Sequence, residues 1–189
     1  MLKLLNRINY KIIINTMRIT KDRVYFWASV LGNWSRVKGG IFVPAELSFT
    51  NQVFKLPTSE HVFMYLKARF FGDEEMIIRI VAAHDPKEAK KWGRLVKGFD
   101  EKEWEGYREE AMWTALTLRY QYDERFRDYL AKEEFKGKHF VEANPYDKVW
   151  SCGYLEDDPR IDLPEETWPG LNLLGKLLDK LRERNLKNT

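Results

Sequence analysis

Apolar residues in this chain change rhythm at Pro57. Before it they come in short runs, Val24-Tyr25-Phe26-Trp27 and Ile41-Phe42-Val43, with a weak alternation from Ser48 to Phe54. Runs of β-branched and aromatic residues favour strands, and Gly39-Gly40 marks a turn. Residues 24–56 therefore predict a small antiparallel sheet with irregular loops.

After Pro57 the apolar positions recur at helical spacing. Pro57 restricts the residue before it, and Thr58 or Ser59 can cap a helix over residues 58–71 with a hydroxyl. A second helix is predicted over 73–83, with Met76, Ile77, Ile80 and Val81 on its apolar face. Asp85-Pro86-Lys87-Glu88 is a start signal, with Asp at the cap, Pro at the first position and Glu at the third; that helix runs to Gly93. Asp100 with Glu103 opens a longer one through Trp104, Tyr107, Ala111, Ala115 and Leu118, and 123–131 reads as a short helix. Residues 138–143 predict a short strand, and 144–168 a loop with an acidic, proline-containing segment. The last helix lines up Leu171, Leu174, Leu177, Leu178 and Leu181 on one face. The fold class expected is α+β, mostly helical, in a single domain whose helical bundle surrounds a cleft.

Composition narrows the function classes. The chain has 189 residues, 44% hydrophobic and 32% charged, the profile of an ordinary globular protein. A net charge of +3 permits an anionic ligand without demanding nucleic acid. Aromatic content of 14%, with seven Trp, supplies material for stacking walls as well as core. The lone cysteine, Cys152, rules out an intrachain disulfide and fits a reducing, cytoplasmic setting; with no histidine motif beside it, it reads as inert. His61, His84 and His139 have no metal-ligand spacing. Ile12-Ile13-Ile14 is too short and too interrupted by charge to span a membrane, and no signal-peptide cleavage site follows. Met17 offers a second start, so residues 1–16 read as an extension before a domain at 17–189. The absence of a dinucleotide fingerprint disfavours hydride transfer.

Candidate chemistry sits at the first helix. Seven residues make almost two turns, so Glu60, Phe63 or Met64, and Lys67 share one stripe, with Glu60 and Lys67 about 10 Å apart along the axis. An acid and an amine around an aromatic wall suit cleavage of a bond to a sugar carbon. On spacing alone, an amphipathic helix with two solvated charges is the plainer reading.

The residues carry a resemblance that changes this weighting. Pro57-Thr58-Ser59-Glu60-His61, with Phe63 two on and Lys67 seven after the glutamate, resembles the signature of the NADAR (YbiA-like) N-glycosidases. Further blocks follow in the family's order: Asp85-Pro86, Ala89 and Gly93-Arg94; Trp104, Met112, Ala115-Leu116 and Arg119-Tyr120; Val141-Glu142, Asp147 and Trp150; and Gly170-Leu171-Asn172-Leu173-Leu174-Gly175. Asn33-Trp34 stands for an early Asn-Phe. The resemblance covers roughly residues 24 to 186. Two departures stand out: the family's Trp-Gly pair becomes Trp150-Ser151-Cys152-Gly153, and its Lys-Phe pair becomes Arg119-Tyr120. The stretch 154–168 resembles an insertion that can form a lid or reshape selectivity.

The resemblance implies hydrolysis of an N-glycosidic bond, with Lys67, Glu60 and Asp147 as catalytic residues and Asn33, Trp34, His61, Arg94, Trp150 and Asn172 binding substrate. Lys67 would attack the anomeric carbon, since a desolvated lysine is a usable nucleophile. Glu60 would donate a proton, activate water or stabilise a cationic centre. Asp147 and Trp150 suit a ribose hydroxyl and a stacked ring, although a turn aspartate and a core tryptophan explain them too. Arg94 suits a phosphate or simply the helix C-terminus. Asn172 suits phosphate or ribose, or caps the last helix. The implied substrates are ribosylamino-pyrimidine intermediates of riboflavin synthesis or ADP-ribose on guanine in nucleic acid, with no cofactor, metal or membrane partner. The alternative is a non-catalytic ADP-ribose or nucleotide-binding module that keeps Trp150, Arg94 and Asn172 without needing Lys67.

Overall fold

The computed structural model describes residues 17–186. The expected extension at 1–16 lies outside the described residues. The chain forms two compact units, one from the residues up to Gly32 with Phe135–Lys176, the other from Asn33–Glu134 with the residues from Leu177 on.

The first unit holds a three-stranded sheet. Strand β1 (Met17–Ile19) pairs antiparallel with β2 (Arg23–Phe26), placing Arg18 opposite Tyr25. The late strand β5 (His139–Glu142) pairs parallel with β2, Val24 opposite Phe140. The N-terminal strands thus pair antiparallel as expected, and the parallel edge comes from a strand late in the chain that was expected as a short strand without a partner. Val24, Tyr25 and Phe26 are all buried, as suits a central strand with neighbours on both edges, but burial alone does not name the neighbour. Below the sheet, Tyr25, Val141, Ala143, Cys152, Ile161 and Trp168 form one apolar cluster.

The acidic segment is cover for this sheet. It folds through two 3-10 turns, Pro159–Asp162 and Glu165–Thr167. Ile161 and Trp168 enter the apolar cluster. The Asp162 carboxylate accepts from Arg18 at 2.8 and 3.0 Å and from the Tyr25 hydroxyl at 2.9 Å. Arg23 donates to the carbonyls of Ile161 and Leu163, both at 3.1 Å. These bonds fix the segment's turns to the strands that precede it by some 140 residues.

The second unit is helical, with one hairpin of β3 (Ile41–Val43) and β4 (Phe54–Leu56). Its helices are α1 (Ser59–Phe70), α2 (Glu74–Val81), α3 (Pro86–Gly93), α4 (Glu101–Tyr122) and α5 (Glu124–Leu130). α6 (Leu173–Leu186) begins in the first unit and ends in this one. The first five starts share one device: a side-chain oxygen of Thr58, Asp73, Asp85, Asp100 or Asp123 accepts a first-turn amide, satisfying a donor the helix itself leaves open. α1 differs from a simple amphipathic helix. Every residue from Ser59 to Leu66 is buried, because α1 packs against α2, α3 and α4. Among the described residues, no helix is long and apolar enough to cross a membrane.

Candidate active site

The start of α1 is built around His61. Thr58 Oγ1 accepts from the His61 amide at 3.3 Å and lies 2.8 Å from Nδ1, while Nε2 lies 3.3 Å from the Ala83 carbonyl. A carbonyl only accepts, so Nε2 carries the proton and Nδ1 accepts from the Thr58 hydroxyl. Burial pushes the imidazole pKa down, which keeps this neutral arrangement. His61 was expected to bind substrate. Both its ring nitrogens are occupied inside the protein, so it fixes the helix start.

Glu60 follows on the same turn and is 4% exposed. Its amide donates to the Asn33 carbonyl at 3.1 Å. The structure thus brings Asn33 and Glu60 together through the backbone. The Asn33 side chain is also buried; its Nδ2 donates to Met112 Sδ at 3.3 Å, and its Oδ1 has no protein partner among the described residues. The Ser59 hydroxyl is in the same position. Buried oxygens without donors are costly unless something else supplies one. Trp34, beside Asn33, is 47% exposed.

Two turns further on, Lys67 is half-buried. Its Nζ lies 3.9 Å from the Phe99 ring centre and 5.6 Å from that of Trp104. Burial lowers its pKa first; Glu101 opposes that shift and Arg94 adds to it. Arg94 is placed by its neighbour. A Cβ on Gly93 would overlap Met64 Sδ, so any side chain there would force Met64 to shift where α3 meets α1. Arg94 then caps α3 within electrostatic reach of Lys67. Phe99 was not among the expected site residues. The signal was its position: Phe99 and Trp104 occupy the two sites flanking the Asp100 cap that a hydrophobic staple uses.

Three expected residues lie in the first unit. Asp147 Oδ1 accepts from the amides of Val149 and Trp150 at 3.1 and 2.9 Å, the turn geometry expected of a short carboxylate side chain. Trp150 is half-buried, and its carbonyl accepts from Leu174 at 3.0 Å. Asn172 is 1% exposed with φ of 50°. Its Oδ1 accepts from Glu142 N and its Nδ2 donates to the Phe140 carbonyl, both at 3.0 Å. The carboxamide therefore extends the edge of β5 as one more peptide would. Expected to contact substrate or to cap, Asn172 has both ends of its amide engaged in holding β5. Cβ atoms on Gly170 and Gly175 would overlap the carbonyls of Ser151 and Phe140, so this whole block packs backbone against backbone. Cys152 is buried and its thiol pKa is pushed up by that burial, as an inert core thiol would be.

A depression of about 540 Å³ opens in the second unit, lined by residues 36–40 and 55–57. It includes neither Glu60 nor Lys67. The candidate site is defined instead by side-chain chemistry: a partly desolvated amine on an aromatic floor, a second cation beside it, a buried carboxylate two turns away, and an exposed indole at the helix start.

The model of the NADAR domain family matches residues 25–185. The chain is 33% identical over 128 residues to a protein named N-glycosidase R617 of Acanthamoeba polyphaga mimivirus, covering 68% of this chain and 74% of that one. It is 33% identical over 134 residues to Protein irg-1 of Caenorhabditis elegans, covering 70% of this chain and 62% of that protein's length. The NMR structure of the E. coli protein YbiA superposes with a TM-score of 0.63 at 23% identity, covering 90% of this chain and 89% of that one, a likeness of fold. With the family match running through both units, this chain belongs to the NADAR domain family.

Proposed function

We propose that this protein is an N-glycosidase that hydrolyses the bond between a phosphorylated ribose and a base or amine, with Lys67 as nucleophile. The observation that carries the reading is the setting of Lys67. Its ammonium is half-buried over Phe99 and its pKa is lowered by burial, with Arg94 adding to that effect. A lysine so placed supplies neutral amine at lower pH than a solvated one. The neutral amine forms a bond to the anomeric carbon as the bond to the leaving nitrogen breaks and that nitrogen takes a proton. The ring oxygen then departs, leaving the opened sugar as a protonated imine on Lys67. Water adds to the imine carbon and returns the amine, releasing the sugar as aldehyde.

Other groups serve this sequence by position. Glu60, buried two turns away on α1, exchanges protons with the leaving nitrogen or the water. Arg94, exposed at the end of α3, takes a phosphate in its planar fork. Asn33 Oδ1 accepts a ribose hydroxyl, which would supply the donor it lacks, and Trp34 stacks on a ring. Relatedness to a protein named an N-glycosidase supports the same class. Ribosylamino-pyrimidine phosphates and ADP-ribosyl guanine are the two substrates to try first.

Borohydride added during turnover should reduce the imine and leave a sugar adduct on Lys67, found by peptide mass spectrometry. Lys67→Ala should fold and bind ligand but release no base. Full turnover by Lys67→Ala would overturn the covalent route. Ligand binding without base release by the unaltered protein would instead identify a binding module.

A further inference from the structure

Arg36, Lys38 and Lys55 line the 540 Å³ depression together with Gly39 and Gly40. None of these three cations forms an ion pair among the described residues, whereas Arg18, Arg79, Lys97 and Arg160 each pair with a carboxylate. Two of the three are held in place by neutral partners. Arg36 donates to the His84 carbonyl at 2.6 Å, and Lys55 Nζ lies 4.4 Å over the Phe42 ring. Arg125 joins them, donating to Ser35 Oγ at 2.9 Å and to the Arg36 carbonyl at 3.2 Å. The nearby carboxylates are engaged elsewhere: Asp85 accepts from the Glu88 amide, and Glu88 from the His84 amide. Cations fixed by carbonyls and rings keep their full charge and have lost much of the freedom that binding would remove. Gly39 has φ of 85° and no atom near where a Cβ would stand, so the floor is open to a close ligand.

From this we infer that the depression is a binding site for the phosphates of a single-stranded nucleic acid. Its ends favour a strand over a small anion. Arg36 lies two residues past the exposed Trp34 and three past Asn33, whose carbonyl holds Glu60. The other wall ends at Pro57, whose carbonyl accepts from Val37 at 2.9 Å, three residues before Glu60. Both walls lead to the start of α1. A groove of cations ending at an exposed indole matches the pairing of backbone charge with base stacking that single strands use.

The test needs no turnover and so stands apart from the glycosidase reading. A fluorescent 20-nucleotide oligothymidylate is titrated by anisotropy over a range of salt concentrations. Three phosphate contacts give a slope of log affinity on log salt of about −2. The triple variant Arg36→Gln, Lys38→Gln, Lys55→Gln should bind at least about tenfold more weakly and lose most of that slope. A control triple, Lys102→Gln, Lys136→Gln, Lys180→Gln, removes equal charge from exposed positions elsewhere and should bind as the parent does. Absence of binding by the parent, or an equal loss in the control triple, overturns the inference. So does binding to phosphatidylserine vesicles that the first triple abolishes while oligothymidylate affinity stays unchanged.

Discussion

At Lys67 the direction of a pH profile follows from its neighbours. If the neutral amine attacks as proposed, activity should rise with pH through the pKa of Lys67, at a pH below the ordinary lysine range. Arg94→Gln removes a charge that repels the ammonium, and the rising limb should move toward alkali. Glu101→Gln removes a charge that attracts it, and the limb should move toward acid. Profiles of kcat/KM for both variants check this; shifts of the same sign would mean that the limb belongs to another group. Glu60→Gln keeps size and hydrogen bonding and should cut turnover while sparing binding. The helical spacing of Glu60 and Lys67 was legible in the sequence, because seven residues on a helix return to one face. The fates of His61 and Asn172 were not. A sequence shows which polar groups a residue carries but not which partners claim them. Here Thr58 and Ala83 claim one side chain, and Phe140 and Glu142 the other.

The helices owe their boundaries to local chemistry, which is why their starts could be read from Asp85, Asp100 and Asp123 with little error. The same local devices set the cost of breaking them. Thr58→Val removes the α1 cap, typically about 1 kcal/mol, and leaves His61 Nδ1 buried without its donor, a further ~1–3 kcal/mol. Its melting temperature should drop clearly, and an unchanged one would mean that the cap and the imidazole contact carry no stability. Asp123 serves two helices. Its Oδ2 accepts from Arg119 Nε at 3.0 Å and its Oδ1 from Phe126 N at 3.2 Å. Arg119 is fully buried over the Phe126 ring, and burial lowers its pKa to about 10. Asp123→Asn would strip the buried guanidinium of its counter-charge and should destabilise by about 3–5 kcal/mol, read from urea unfolding. Gly93→Ala should cost ~1–3 kcal/mol through overlap with Met64, and would displace Arg94, so affinity for a phosphorylated ligand should fall with it. His61 adds a pH signature. Its folded pKa is depressed, so the unfolded chain takes up a proton first as pH falls below the unperturbed value of 6.5. Stability from this group is complete above that pH and is lost as pH falls toward the folded pKa.

Across the whole molecule the chain leaves the first unit at Gly32, returns at Phe135 and leaves again after Lys176. Nothing in the sequence announced this. Periodicity reports which residues are buried, whereas the parallel pairing of β2 with β5 joins strands more than a hundred residues apart, and the entropy of closing such a loop grows only slowly with its length. The acidic segment was misleading for a similar reason. It resembled an insertion able to form a lid or reshape selectivity, yet Ile161 and Trp168 set its place in the core, and Asp162 found Arg18 and Tyr25. The interleaved units make a strong statement about truncation. Residues 33–134 contain the hairpin and α1 to α5, but they lack the end of α6. Leu177, Leu178 and Leu181 of that helix are buried at 7%, 0% and 0% exposure. Burying such a side chain is worth ~1.5–3 kcal/mol, so the three together approach the ~5–15 kcal/mol by which a whole domain is stable. A fragment of residues 33–134 should therefore show helical circular dichroism but a broad, shallow urea transition. Adding a peptide of residues 173–189 should sharpen that transition and raise its midpoint. A steep, two-state transition in the fragment alone would mean that α6 is not required by the helices that precede it.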